Sequence, residues 1–406
     1  MVVRAEAQEG HAFFVDVGDL EAEHARVELD HAWQVAAVKA DVTDLLYAYG
    51  VTHGGYDTSM LELLAIVCAL VLAAQAGAAN RDIYMYQGAD RAEKLVAGAK
   101  QEGQVVLYST MTVQDGRALG AAFERKYGVR LVHWRGSAEK IVQRALAEAR
   151  ARHDGADVFE TSSHRMEALY REKLLEDFYT PAFRELSPAA FPRGHRQYVA
   201  ARFAFFVLGY NTRLVKPSDL PASYEDLLQP RWVGRLAIES TDVLWFAALT
   251  KAMGEERGLA YFRRLAAMKP TIRNGHILAA QLVASGEIPL LVTAYNNNME
   301  TLKKAGAPVD WKPLAPAFGQ ASAIGLSKES RRPHAALLFT EFLLSREGQE
   351  FFKAVNRVPS SLAVDTPLNK FPHQIIDPAI ALDEGDKWDK LWSNLFLGGK
   401  PVEREE

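Results

Sequence analysis

The sequence predicts an α/β protein made of two lobes that are joined by two extended crossings. Three observations carry this prediction. Strand-length apolar runs alternate with amphipathic helical runs from Gln104 onward, with short connections between them. Two long apolar stretches, at residues 198–215 and 313–330, enclose a region with an alternation of its own. The chain of 406 residues is long enough to bury the cores of two such lobes.

The first strand–helix pair has clear boundaries. "QVVLYST" begins at Gln104 and is β-branched and apolar, which favours a strand. In "TVQDGRALGAAFERKYG", residues Leu119, Phe123 and Tyr127 recur at intervals of four, as on one face of a helix. Thr112 is placed to cap the start of this helix, and Gly128 to end it.

The alternation then continues along the chain. "VRLVHW" and "ADVFE" are predicted strands, and "SAEKIVQRALAEARARHDG" and "HRMEALYREKLLEDF" are predicted helices. "RRPHAALLFTEFLLSREGQEFF" is predicted to form one amphipathic helix near the end of the chain. The two apolar crossings assign residues 80–207 and 317–406 to the first lobe and residues 208–316 to the second, with a hinge between them.

Hydroxyl and carboxyl side chains recur where predicted strands end and helices begin. In parallel sheets ligands bind at this edge, beside the free N–H groups of the helix starts. The candidate ligand-binding residues of this type are Ser109, Thr110, Ser137, Ser162, Ser163, Ser240, Thr241 and Asp242. Ordinary helix capping is the alternative interpretation for each of them.

A signal-peptide pattern lies inside the chain, at residues 60–79. An apolar run from Leu63 to Ala74 precedes the small residues Ala76 to Ala79, as at a secretory cleavage site. The segment lacks the usual basic start, so an anchor helix or a buried helix is the alternative. We expect residues 1–59 to be a leader from a misassigned start, with a genuine extra segment of unknown use as the alternative. We expect the mature protein to be periplasmic. Residues 1–79 hold twelve acidic and three basic side chains, so the remainder is net positive, which mildly favours an anionic solute.

Composition and motifs exclude several classes of function. The single cysteine, Cys68, cannot form an internal disulfide. The sequence contains no GxxxxGK, GxGxxG, HExxH, CxxC or GxSxG pattern of the kinds that mark common catalytic and cofactor sites. It has no helix-turn-helix pattern or basic stripe, so a nucleic-acid partner is not expected. The net charge of −4 selects no partner.

Several segments together resemble one family. They are "GQVVLYS", "ADVFETSSHRMEAL", "LGYNTRLV", "SYEDLLQPRWVGRLAIES", "AYNNNMETLKKAGAPVDWKPLAPAFG" and "HAALLFTEFLLSREGQE". In their order and spacing they resemble the periplasmic solute-binding proteins of bacterial ABC importers, in the iron(III)-type group. The resemblance implies the type II binding-protein fold with two hinge crossings. It also implies a monomer that captures a small-molecule solute by hinge closure and delivers it to an inner-membrane permease and its ATPase, with no cofactor required.

The resemblance also raises the question of a metal. Iron-binding relatives use two adjacent tyrosines in the region that matches "TAYNNNME", together with a histidine after the first strand and an acidic residue after the third. Here Tyr295 is followed by Asn296, and Thr110 and Met111 stand where the histidine is expected. Ferric ion favours anionic oxygen ligands. Tyr295 is therefore a candidate metal ligand for ferric ion as a transported ligand, and Tyr295 and Asn296 are candidate contacts to an organic or inorganic anion.

Two other functions remain open from the sequence. The same fold occurs in enzymes, and a periplasmic binding protein can present its solute to a sensor or receptor instead of an importer. Neither alternative has a motif of its own in this chain.

Overall fold

The computed structural model describes residues 2–6, 12–16, 80–151 and 155–402. The chain falls into two compact units, residues 1–72 and residues 73–406. In the first unit, strands β1 (Val2–Glu6) and β2 (Ala12–Asp16) pair antiparallel, with Val2 opposite Asp16. The expected signal peptide, residues 60–79, and the rest of the expected leader lie outside the described residues.

The second unit begins with the predicted alternation of strands and helices. Its first elements are α1 (Arg91–Glu102), β3 (Gln104–Ser109), α2 (Val113–Tyr127), β4 (Arg130–Arg135), α3 (Ala138–Ala151), β5 (Val158–Ser162), α4 (Ser163–Arg171), β6 (Leu175–Glu176) and β7 (Tyr198–Asn211). The Thr112 hydroxyl accepts a hydrogen bond from the Asp115 N–H at 3.0 Å and caps α2. Gly128 ends that helix at φ 71°, in the left-handed region.

The remaining elements complete the unit. They are β8 (Leu236–Glu239), α5 (Val243–Met253), α6 (Glu255–Ala267), β9 (Thr271–Arg273), α7 (His276–Ser285), β10 (Leu290–Tyr295), α8 (Asn296–Lys304), β11 (Val309–Lys312), β12 (Ala317–Ser327), α9 (Pro333–Leu344), α10 (Arg346–Ala354), β13 (Val358–Pro359), β14 (His373–Ile375), α11 (Ile380–Asp383) and α12 (Gly385–Phe396). Short 3₁₀ helices occupy Pro181–Arg184, Pro188–Ala190, Pro217–Asp219, Glu225–Leu228, Pro230–Trp232 and Pro367–Asn369. No helix of the described residues is both long enough and apolar enough to cross a membrane.

One sheet connects the two halves of this unit, in the strand order β4-β3-β5-β12-β7-β10-β8-β9. Strand β7 takes part in both halves. Its residues 198–205 pair antiparallel with β12, and its residues 206–210 pair antiparallel with β10. The two long apolar stretches are therefore adjacent strands, and β7 passes from one half of the sheet into the other. This arrangement agrees with the predicted crossings.

Two predicted helices have different boundaries. The helix predicted through residue 178 ends at Arg171, because Leu175 and Glu176 pair with the end of β12 as a short strand. The helix predicted from "RRPHAALLFTEFLLSREGQEFF" is two helices, α9 and α10. They are separated at Ser345, whose extended backbone (ψ 163°) interrupts α9 and whose hydroxyl accepts from the Gly348 N–H to cap α10.

The C-terminal helix packs away from the half to which it was assigned. Trp388 and Trp392 of α12 are buried in one apolar cluster with Phe246 of α5 and Phe262 of α6. The ring centroids of Phe246 and Trp392 are 5.5 Å apart. Residues 317–406 were all expected in the first lobe, whereas α12 packs against α5 and α6, which were expected in the second.

Candidate functional site

A cleft of about 400 Å³ lies where the two halves of the sheet meet. Its lining comes from strand ends and helix starts on both sides of β7. Thr112, Ser137 and Ser162 lie at the starts of α2, α3 and α4, and Asp242, His276 and Asn297 at the starts of α5, α7 and α8. Helix N-termini carry partial positive charge and free N–H groups, so six of them around one cleft favour a negatively charged ligand.

Two arginines form the floor of the cleft on the β7 side. Arg202, on β7, forms an ion pair with the fully buried carboxylate of Glu160, with Nη2 and Oε1 separated by 2.9 Å. Arg357 lies 3.6 Å from Asp115 and is only 21 % exposed. Burial, followed by repulsion from Arg202, lowers the pKa of the Arg357 guanidinium. The two cations are therefore close enough to repel each other in a desolvated place.

Two further arginines, Arg135 and Arg165, also line the cleft. Arg135 lines the cleft at the exposed end of β4. Arg165 forms an ion pair with Glu139 at 2.6 Å. Arginine binds carboxylate and phosphate groups through two parallel hydrogen bonds, so these arginines can recognise an oxyanion.

On the β8 and β10 side, Asp242, His276 and Tyr295 line the cleft, and the fully buried Glu239 lies next to them without lining it. Glu239, at the end of β8, is fully buried and accepts hydrogen bonds from the N–H groups of Thr241 at 2.7 Å and Gly275 at 3.0 Å. Asp242 Oδ1 lies 3.2 Å from His276 Nε2. Burial raises the pKa of Asp242 to about 6, and the neighbouring His276 partly offsets that effect. The His276 ring stacks on Tyr295, with centroids 3.7 Å apart and planes 24° apart.

Six of the residues predicted from the sequence line this cleft. They are Thr110, Ser137, Ser162, Thr241, Asp242 and Tyr295. The Tyr295 hydroxyl is joined to the side-chain amide of Gln320, which lies on β12 and also lines the cleft. Residues distant in sequence therefore meet at the predicted edge of the sheet.

The other four predicted residues are not among those that line the cleft in this structure. Ser109 is fully buried, where its hydroxyl is 2.8 Å from His133 Nε2 and accepts from the Met111 N–H. Asn296 is also fully buried, and its amide bridges the Phe205 N–H and the Leu368 carbonyl.

Ser163 and Ser240 lie behind the cleft surface. Each is 8 % exposed, and the Ser240 hydroxyl donates to Glu239 at 3.4 Å. Both residues stand next to a cleft residue, Ser162 or Thr241, whose side chain occupies the lining position.

Sequence reasoning missed the arginine pair and the partner of His276. Arg202 is the one charged residue in the apolar strand Tyr198–Asn211, which is a signal that the strand passes a polar site. Arg357 stands in no comparable pattern. The sequence did not indicate the contact between His276 and Asp242, because the two residues are 34 positions apart and meet only in the folded chain.

Comparisons with known proteins agree on one family. The family model described as bacterial extracellular solute-binding protein matches residues 154–378. The chain is 27% identical over 293 residues to "Iron uptake protein A1" of Synechocystis sp., a match that covers 66% of this chain and 79% of that protein.

Solved structures share the fold. Iron-bound HitA from Pseudomonas aeruginosa is 24% identical and superimposes with a TM-score of 0.62 over 72% of this chain and 99% of that one. The periplasmic binding protein AfuA from Actinobacillus pleuropneumoniae, with fructose-6-phosphate bound, is 21% identical with a TM-score of 0.62 over 73% and 99%. The two-lobed α/β fold predicted from the sequence is confirmed. The chain belongs to the bacterial extracellular solute-binding protein family.

Proposed function

We propose that this protein captures a small anionic solute in the cleft, outside the cytoplasm, for delivery to an ABC permease and its ATPase. The observation that carries the proposal is the pair of largely buried arginines, Arg202 and Arg357, on the floor of the cleft. Family membership supports solute binding, and the charge of the cleft narrows the kind of solute. The proposal contains no catalytic step.

The arginine pair favours an anion for a physical reason. Glu160 and Asp115 each face one arginine, but the two guanidinium groups still repel each other. An oxyanion between them would relieve this repulsion and would accept charge-assisted hydrogen bonds from both guanidinium groups. Free N–H groups at the starts of α3 and α5 would add about 0.3–2 kcal/mol each in a partly buried geometry. A micromolar affinity needs about 8 kcal/mol in total, which such contacts can supply.

Ferric ion is the second candidate, because a relative is named as an iron uptake protein. The donors in this cleft suit it less well. Among the described residues that line the cleft, Tyr295 is the one tyrosine. Glu160 already forms an ion pair with Arg202, and Thr110 stands where the resemblance expects a histidine. A hard trivalent ion would have few anionic oxygen ligands here.

The two lobes are proposed with two changes from the sequence boundaries: the first crossing lies at residues 205/206 instead of 207/208, and α12 joins the second lobe. Residues 80–205 and most of 317–379 form the first lobe, and residues 206–316 form the second together with the C-terminal helix α12. Closure about β7 and β12 brings the arginines toward Asp242 and Tyr295, and the solute shifts this equilibrium by its higher affinity for the closed state. We propose that the protein acts as a monomer.

Export is proposed to use residues 60–79 as a signal peptide, with release into the periplasm. Residues 1–59 are then absent from the mature protein. N-terminal sequencing of the native protein tests this, with a first residue near position 79 or 80 expected. Any residue of 1–59 in the mature chain would overturn it.

The function is tested by calorimetry on protein freed of retained ligand by unfolding and refolding. Inorganic phosphate, a sugar phosphate, citrate and ferric citrate are titrated separately. We expect one of the anions to bind without iron, and Arg357→Gln to weaken that binding about 10- to 100-fold, since hydrogen bonds to charged groups contribute about 1.5–3 kcal/mol. Arg193→Gln, at a 92 % exposed arginine, is the matched control. Binding that needs iron in every case would favour the ferric alternative.

A further inference from the structure

We infer that Glu239, Asp242 and His276 form a binding site for a divalent transition-metal ion on the β8 and β10 side of the cleft. This site does not depend on the proposed anion. Each of the three side chains offers one ligand atom, and these three atoms all lie within 4.8 Å of one another. The residues come from three separate elements, the end of β8, the turn before α5 and the start of α7.

The donor separations suit a single ion. His276 Nε2 lies 3.2 Å from Asp242 Oδ1 and 3.7 Å from Glu239 Oε2. Two ligands at about 2.1 Å from one tetrahedral ion stand about 3.4 Å apart. Small side-chain adjustments would therefore be enough to close the site around an ion.

An unsatisfied atom points independently to a ligand. Asp242 is 97 % buried and lines the cleft. The Thr293 hydroxyl lies near this carboxylate, but Oδ2 accepts no hydrogen bond of ordinary length and angle from the described residues. The fully buried carboxylate of Glu239 lies beside it. Burying a carboxylate oxygen without a partner is costly, and a second carboxylate increases that cost. A cation bound between them would remove both penalties.

The surroundings hold the three ligands in place. The backbone N–H groups of Thr241 and Gly275 fix the Glu239 carboxylate, at 2.7 and 3.0 Å. Tyr295 stacks on His276 at 3.7 Å and fixes the plane of the imidazole. Such outer contacts are typical of metal sites, where they orient the ligands.

The ligand chemistry selects a class of metal. One imidazole nitrogen with two carboxylate oxygens suits Zn²⁺, Co²⁺ or Fe²⁺, whereas Ca²⁺ and Mg²⁺ favour oxygen ligands only. Three protein ligands leave at least one coordination position toward the cleft.

The test is titration of the chelator-treated full chain with Co²⁺ and Zn²⁺. We expect one site with the intense visible absorption of tetrahedral Co²⁺, and one Zn²⁺ per chain at the same site by competition. Asp242→Asn and His276→Gln should each weaken this site about 100-fold or more, beyond the 10- to 100-fold typical of outer contacts. His373→Gln, at an exposed histidine, and Asp386→Asn should leave it unchanged.

Folding and the anion site are checked in the same variants. Thermal denaturation shows whether each variant folds. If either Asp242→Asn or His276→Gln fails to fold, the Co²⁺ titration of the other variant tests the site. Arg357→Gln should weaken anion binding about 10- to 100-fold while keeping the Co²⁺ spectrum, so that failures of the two proposals can be told apart. No Co²⁺ binding by the wild-type protein, or a Co²⁺ spectrum that survives both Asp242→Asn and His276→Gln, would overturn the inference.

Discussion

Replacing Arg202 with methionine should destabilise the protein by stranding a buried carboxylate. Glu160 is fully buried, and its main polar partner is Arg202, with which it forms an ion pair at 2.9 Å. After the substitution, the carboxylate would keep one side-chain hydrogen bond among the described residues, from the Thr110 hydroxyl at 3.3 Å. Methionine preserves most of the side-chain stem, so that lost packing contributes little.

The magnitude follows from the two ways in which the carboxylate can respond. Removing one partner of a buried ion pair typically costs about 3–5 kcal/mol. The loss is capped, because a glutamate can take up a proton at a cost of about 4 kcal/mol at pH 7 and about 1 kcal/mol at pH 5. We therefore expect a loss of about 3–4 kcal/mol at pH 7 and a much smaller loss at pH 5.

The assay is urea unfolding followed by tryptophan fluorescence, at both pH values. The double variant Arg202→Met, Glu160→Gln removes the charge that is left behind and should recover most of the stability lost at pH 7. A loss below about 1 kcal/mol at pH 7, or a double variant no more stable than the single one, would refute this account of the pair.

Three other predictions concern the fold around the site. Gly116→Ala should cost about 1–3 kcal/mol despite the better helix propensity of alanine, because the new Cβ would lie 2.1 Å from Nδ1 of His133; an unchanged urea midpoint would contradict it. Burial lowers the pKa of His133, so the unfolded chain binds more protons than the folded one, and stability falls as the pH drops below about 6.5. His133→Gln should therefore reduce the slope of the unfolding free energy against pH between pH 7.5 and 5.5; an unaltered slope would count against this. Trp392→Ala should cost about 3–5 kcal/mol by urea unfolding if the C-terminal helix completes the second core, whereas a loss below about 1 kcal/mol would mean that the helix packs only loosely.

The fold was accessible from the sequence because its local signals agree with one another. Leu119 and Phe123 recur at helical spacing and are buried, and Thr112 and Gly128 mark the ends of their helix. Local signals failed where a distant partner decided the outcome. Leu175 and Glu176 continue a helical pattern, but they form a strand because β12 is beside them.

The site was only half accessible for the same reason. Residues at strand ends could be listed from the alternation, and five of them line the cleft, together with Tyr295, which the family resemblance suggested. Which neighbour of a pair faces the cleft depends on side-chain direction, which sequence does not give. Thus Ser162 lines the cleft, whereas Ser163 does not. The contacts between Asp242 and His276, and between Arg202 and Glu160, join segments that only the folded sheet brings together.

Closure of the cleft on an anionic solute is tested most directly by a distance across it. Val113, at the start of α2, and Ile277, at the start of α7, are 56 % and 61 % exposed and can carry spin labels in a Cys68→Ser background. The distance between the two labels is measured by pulsed electron paramagnetic resonance, without solute and with the anion that binds most tightly in calorimetry. We expect it to shorten by more than about 2 Å on saturation. An unchanged distance distribution at full occupancy would contradict capture by closure.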